Sequence, residues 1–84
     1  MKSSNINVLL FAGARELIGH ETIQLDMPLP CSLSTFQLTL FAKFPQLRPY
    51  ENALRVAINA SYALSEDMIH EGDEVALIPP VAGG

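Results

Sequence analysis

Hydrophobic and polar positions alternate through Ile6-Asn7-Val8-Leu9-Leu10-Phe11-Ala12, which predicts a strand with Ile6, Val8, Leu10 and Ala12 on one face. Asn7, Leu9 and Phe11 share the other face, which starts polar and ends apolar. Where a helix covers one side of the sheet, Leu9 and Phe11 become candidates for an exposed apolar patch. Ala14-Arg15-Glu16-Leu17-Ile18 reads as a short helical turn closed by Gly19. Glu21-Thr22-Ile23-Gln24-Leu25 alternates as a second, antiparallel strand, and Met27-Pro28-Leu29-Pro30 is a loop. From Leu33 the apolar positions fall at 33, 36, 40 and 44, joined by Leu38 and Phe41, a helical spacing for an element lying on a sheet. Phe36-Gln37-Leu38-Thr39-Leu40 also alternates like a strand, but the length of the periodic run, the N-cap candidate Ser32 and the stop at Phe44-Pro45 favour a helix. Residues 46–52 form a connector with a brief helical turn. Leu54 to Asn59 is a third strand, Tyr62-Ala63-Leu64 a short return strand, and Ser65-Glu66-Asp67 starts a helical or 3₁₀ turn. Gly72-Asp73 is a turn that leads into the last strand, Glu74 to Ile78.

The order β-β-α-β-(β)-β predicts an α+β fold, a mixed sheet with one main helix packed on one face and the first and last strands as central parallel neighbours. At 84 residues the chain is expected to be one domain, 1–84, with one modest core. There are no repeats and no low-complexity tracts.

After Ile78 the pattern stops. Pro79-Pro80 ends the strand, because proline has no N–H for a ladder and fixes φ, and Val81-Ala82-Gly83-Gly84 follows. Six extended residues reach roughly 20 Å, enough to enter another protein's active site. Gly83 and Gly84 have no side chains and fit a channel too narrow for a Cβ. The only chemistry such an end owns is its α-carboxylate, ionised at neutral pH with a pKa of about 3.5. A carboxylate is a poor electrophile, and ATP activates one by forming an acyl-adenylate, open to attack by a sulfur or amine nucleophile. Terminal glycines on their own are also common as frayed ends; a double-proline stop before a bare end on a short chain points to delivery.

Composition narrows the classes. The net charge is −4 and the five Lys and Arg residues are scattered, so no basic stripe for nucleic acid exists. The hydrophobic fraction of 49% is high for a domain this small, leaving apolar surface for a partner. Cys31 is the only cysteine, which excludes an internal disulfide, and it has no local basic neighbour to make it a nucleophile. His20 is a turn residue with no partner for a metal site. No signal peptide precedes the first strand and no stretch approaches a membrane span, so a cytoplasmic protein without membrane contact is expected.

Phe11-Ala12 with Arg15-Glu16-Leu17 and Gly19, then Gly72-Asp73-Glu74-Val75, then Pro79-Pro80-Val81-Ala82-Gly83-Gly84 resembles the small, sulfur-carrying subunits of molybdopterin synthase, over about Val8 to Gly84. Gly-Asp-Glu-Val and Gly-Gly also occur in other ubiquitin-like sulfur carriers; the Pro-Pro-Val-Ala-Gly-Gly ending joined to Arg-Glu-Leu is the specific part. The resemblance implies a β-grasp, ubiquitin-like fold. It implies that an adenylyltransferase related to ubiquitin-activating enzymes adenylates Gly84 and that a sulfurtransferase step converts it to a thiocarboxylate. The tail, with Pro79, Pro80, Val81, Ala82 and Gly83 threading, then enters the large subunit, where the sulfur reaches precursor Z (cyclic pyranopterin monophosphate). No stable cofactor and no metal are implied, only transient AMP and sulfur on Gly84, in a heterotetramer with a carrier at each end of a dimer of large subunits. The catalytic pocket belongs to the large subunit, so this chain alone is expected to be inactive.

The family's apolar contact positions fall on Phe11, Tyr62 and Ile78, and alternation independently puts Phe11 and Ile78 on outward faces of adjoining strands. Arg15 matches an arginine that resembles an ion-pairing contact to the activating enzyme; it reads equally as a solvated helix residue. Gln37-Leu38-Thr39 departs from the more charged helix face typical of the family, and Gly13 from a larger residue. A carrier for thiamine or tRNA thiolation shares the diglycine but not the Pro-Pro before it, and a ubiquitin-like modifier or interaction module is the reading from another class.

Overall fold

The computed structural model describes residues 4–78, so Pro79 to Gly84 lie outside the described residues. Strand β1 (Ser4–Leu10) pairs antiparallel with β2 (Thr22–Met27). Between them lies helix α1 (Ala12–Ile18), ended by Gly19 at φ 86°. This is the left-handed C-terminal position that glycine occupies without a Cβ clash. Strand β3 (Cys31–Ser32) runs into α2 (Leu33–Lys43), and a 3₁₀ turn (Pro45–Tyr50) follows. Strands β4 (Arg55–Ile58), β5 (Ser61–Tyr62), β6 (Met68–Ile69) and β7 (Val75–Ile78) complete the chain. The main sheet has the order β2-β1-β7-β4-β5, with β1 and β7 parallel at its centre and the other pairs antiparallel. This is the β-grasp arrangement, and it bears out the expected central parallel pair.

Helix α2 starts where Ser32 caps it: the Ser32 hydroxyl accepts the Thr35 N–H at 3.2 Å. Its buried residues Leu33, Phe36, Leu40 and Phe41 join Ile6, Val8, Leu10, Leu25, Val56, Val75 and Leu77 of the sheet in one cluster. At the far end Lys43 donates to the Gln24 carbonyl at 3.1 Å, tying the helix to β2, an edge strand of the sheet. A cation on an edge carbonyl also discourages pairing with another chain.

Four expectations are corrected. Strand β1 stops at Leu10, so Ala12 belongs to α1, at φ 48°, and Phe11 is that helix's N-cap. Leu38, expected among the apolar positions of the packed helix face, is 71% exposed, because the spacing of 33, 36, 40 and 41 turns position 38 outward. Met27 belongs to β2 rather than to a loop. The turn at Ser65–Asp67 is a plain hydrogen-bonded turn, and it is followed by a strand that was not expected, β6, which pairs with β3 as a two-stranded ribbon, Cys31 facing Ile69.

The β4–β5 hairpin turns through Asn59 and Ala60 at φ 51° and 69°. Two positive φ values in a two-residue loop define a type I′ turn, whose second position favours glycine. Ala60→Gly is therefore expected to stabilise the protein by about 0.5–1 kcal/mol, removing a left-handed alanine. A thermal melt checks this, with a rise in Tm of about 3–6 °C expected for a domain of this size.

Asn59 and Asp73 hold that turn to the sheet. Asn59 donates its backbone N–H to the Glu74 carbonyl at 2.8 Å, accepts the Glu74 N–H on Oδ1 at 2.9 Å, and donates Nδ2 to Asp73 at 2.9 Å. The other Asp73 oxygen accepts the His70 N–H at 2.8 Å. Gly72, at φ 89°, makes the bend that aims Asp73 back at these donors. The His70 backbone bond, then the Asn59 amide, hold the Asp73 carboxyl below the usual 3.8 of an aspartate. A lowered folded-state pKa gives stability that is present above the unfolded value and lost as pH falls through the folded one. Carboxyl-resonance titration is expected to place the Asp73 midpoint below the usual aspartate value, and Asn59→Ala to move it back up.

Candidate functional site

The face of the sheet away from α2 divides in two. At one end the polar side chains bond to one another: Asn5 donates to Asp26 at 2.8 Å and Gln24 donates to Asn7 at 3.1 Å. At the other end the register sets Leu9, Ala76, Ala57 and Tyr62 in one row across β1, β7, β4 and β5. The next row holds Ile78 paired with Arg55 on β4, and extending the β1–β7 register by one residue sets Phe11 beside Ile78. Phe11 has extended dihedrals, φ −124° and ψ 149°, so it continues the alternation of β1 although it caps a helix.

Three sequence-predicted contact residues thus share one end of this face. Phe11 is 47% and Tyr62 66% exposed, and Ile78 is half-buried. Between them Ala57 and Ala76 are buried despite facing outward, shaded by the larger side chains around them. The result is an apolar patch with a low floor and taller walls, lying where the chain leaves β7 toward Pro79. Leu9, half-buried, extends it.

Arg15 lies elsewhere, on α1, where its guanidinium is 3.7 Å from the Glu21 carboxylate. Both side chains are mostly exposed, so the pair contributes little stability and does not tie Arg15 down. His20 is exposed. Cys31 is buried within the β3–β6 ribbon, and desolvation pushes its thiol up from 9.0, keeping it protonated and unreactive at neutral pH. Among the described residues no three His, Cys, Asp or Glu side chains come together as a metal would require, and no helix is long and apolar enough to cross a membrane. Gly84 and the threading residues Pro79, Pro80, Val81, Ala82 and Gly83 lie outside the described residues.

The residues missed from sequence are Arg55, Ala57 and Ala76. Alternation in β4 carried the signal, since it puts Arg55 and Ala57 on the face opposite Val56 and Ile58. Small residues and a charge do not stand out where apolar anchors are sought.

The sequence pattern of the ThiS family matches residues 8–84. The chain belongs to the ThiS family. Among curated ThiS-like relatives, the molybdopterin synthase sulfur carrier subunit of Arabidopsis thaliana is 38% identical over 82 residues, covering 98% of this chain and 85% of that protein. Among solved structures, SAMP1 from Haloferax volcanii superposes with a TM-score of 0.81 at 27% identity, covering 96% of this chain and 100% of that one. The fold also matches a chain from the complex of subunits 1 and 2 of the molybdopterin-converting factor of Helicobacter pylori, with a TM-score of 0.69 at 20% identity over 96% of this chain and 100% of that one. The ThiS-family match runs to Gly84, so it includes the diglycine end together with the patch-bearing sheet.

Proposed function

We propose that this chain is the sulfur carrier subunit of molybdopterin synthase. The observation that carries the reading is nearly full-length similarity to sulfur carrier subunits, in a chain ending Pro79-Pro80-Val81-Ala82-Gly83-Gly84. A ubiquitin-activating-like adenylyltransferase joins AMP to the Gly84 carboxylate with release of pyrophosphate. A sulfur donor delivered by a sulfurtransferase displaces AMP and leaves a C-terminal thiocarboxylate. Ionised at neutral pH, its soft sulfur is a good nucleophile, and the acyl carbon makes it releasable. In the large subunit the sulfur passes to precursor Z, hydrolysis regenerates the carboxylate, and a second loaded carrier completes the dithiolene.

The division of labour suits the side chains present. The carrier brings the sulfur, while the large subunit supplies acid–base groups and holds the anionic pterin. The patch of Phe11, Tyr62 and Ile78 serves to dock the carrier while the tail is inserted. Phe11→Ala is expected to weaken binding to the large subunit by about 2 kcal/mol, or about 30-fold, with no change in Tm, as calorimetric titration and a melt would show.

The test is the intact mass of the chain after incubation with ATP, a sulfur source and the activating enzyme. A gain equal to one oxygen-for-sulfur exchange at Gly84 supports the reading. A chain recovered joined to lysines through Gly84, with no such exchange, would make it a modifier, the class to which Haloferax SAMP1 is assigned by name.

A further inference from the structure

Arg55 is the only Lys or Arg among the strands of the described structure, and it stands inside the apolar end of the open face. Its register partner is Ile78, the residue from which the tail departs. Its guanidinium carbon lies 5.9 Å from the centre of the Tyr62 ring, within range of the ring's negative face. Among the described residues the ion pair that an arginine or lysine makes is Arg15–Glu21, so Arg55 faces a ring and not a carboxylate.

This arrangement has a consequence for docking. A pocket that takes in the tail as far as Pro79 brings its rim over Ile78, and with it over Arg55 and Tyr62 one strand further out. Covering them strips water from a permanently charged group. A guanidinium desolvated by apolar neighbours is unfavourable unless an acceptor replaces the lost water. Its contact with the Tyr62 face satisfies none of its N–H donors, and the planar fork matches a carboxylate. The carrier is itself acidic, at net −4, so its overall field repels carboxylates and only a local cation offsets that.

We propose that Arg55 is a specificity-determining residue of the docking surface, and that the large subunit presents a carboxylate to it at the mouth of the tail-binding channel. This rests on the docking reading given above. Phe11, Tyr62 and Ile78 supply apolar contact, while Arg55 selects partners that carry an acid at one position and penalises those that do not. The Tyr62 ring, 5.9 Å from the guanidinium carbon, biases the side chain toward this position before binding, so part of its freedom is already lost when the pair forms.

The experiment is calorimetric titration of the full chain against the purified large subunit at two salt concentrations, using wild type, Arg55→Met, Arg55→Lys, Tyr62→Ala and Phe11→Ala, each with its Tm. Arg55→Met keeps an apolar stem and removes the charge. It is expected to weaken binding by about 30-fold or more and to flatten the salt dependence, because it strands the partner's carboxylate. Arg55→Lys is expected to recover part of the affinity and the wild-type salt dependence. If Arg55→Met binds as tightly as wild type with the same salt dependence, while Phe11→Ala and Tyr62→Ala bind weakly, the role of Arg55 is overturned and the docking face stands. If none of the four variants changes affinity, the docking face itself is wrong.

Discussion

Deleting Gly84, or adding residues after it, is expected to abolish sulfur transfer and to leave the fold and the docking affinity nearly unchanged. The cause is chemical. The group proposed to be adenylated and thiolated is the terminal carboxylate, and no side chain replaces it. Removing Gly84 moves the carboxylate to Gly83, one residue or about 3.5 Å short of its place. Reacting atoms must approach to about 3–3.5 Å, so that displacement alone prevents reaction. An added residue hides the Gly84 carbonyl in a peptide bond and moves the free carboxylate one residue away from it. The fold is expected to tolerate both changes because, among the described residues, the core cluster already runs from Ile6 to Leu77. The measurement pairs the thiocarboxylate mass of each variant with product formation by the reconstituted synthase. Turnover by the truncated or extended chain would reject the terminal-carboxylate mechanism.

How much of this was legible before the structure depends on the length of each element. Ile6 to Leu10 and Val75 to Leu77 were readable because a strand buried on one or both faces repeats its signal over several residues. Helix α2 was readable from its ends: Ser32 at the start and Phe44-Pro45 at the stop outweighed the strand-like alternation of residues 36–40. The β3–β6 ribbon was not, since Cys31–Ser32 and Met68–Ile69 are two residues each and too short for a period. Leu38 misled because an apolar residue in a helical run looks like core until the phase of its neighbours is fixed by contact with the sheet. For the candidate site, alternation reached Phe11 and Ile78, the bare diglycine end pointed to the terminal carboxylate, and family resemblance supplied Tyr62 and the expectation of sulfur transfer at Gly84. Arg55 needed the strand register, because what gives it meaning is its place between Ile78 and Tyr62, and those residues are distant in sequence.

Two phenylalanines show how the fold divides support from function. Phe36→Ala is expected to destabilise the protein by about 3–5 kcal/mol, the range for truncating a fully buried aromatic side chain. Phe36 is 0% exposed, at the centre of the helix face that closes on the sheet. Its loss opens a cavity between layers held by α2 on one side and Val8, Val75 and Leu77 on the other, all fully buried themselves and unable to close the gap. A domain of this length has a total stability of about 4–13 kcal/mol, so the variant should sit near the edge of folding at 37 °C. Urea unfolding is expected to show a large fall in midpoint with little change in slope. Sulfur transfer by this variant should track the fraction folded and recover on cooling toward the temperature of maximum stability. Phe11→Ala, by contrast, should keep the wild-type midpoint and lose affinity at every temperature. If Phe36→Ala were instead stable and weak in binding, α2 and not the open face of the sheet would be the surface that meets the partner.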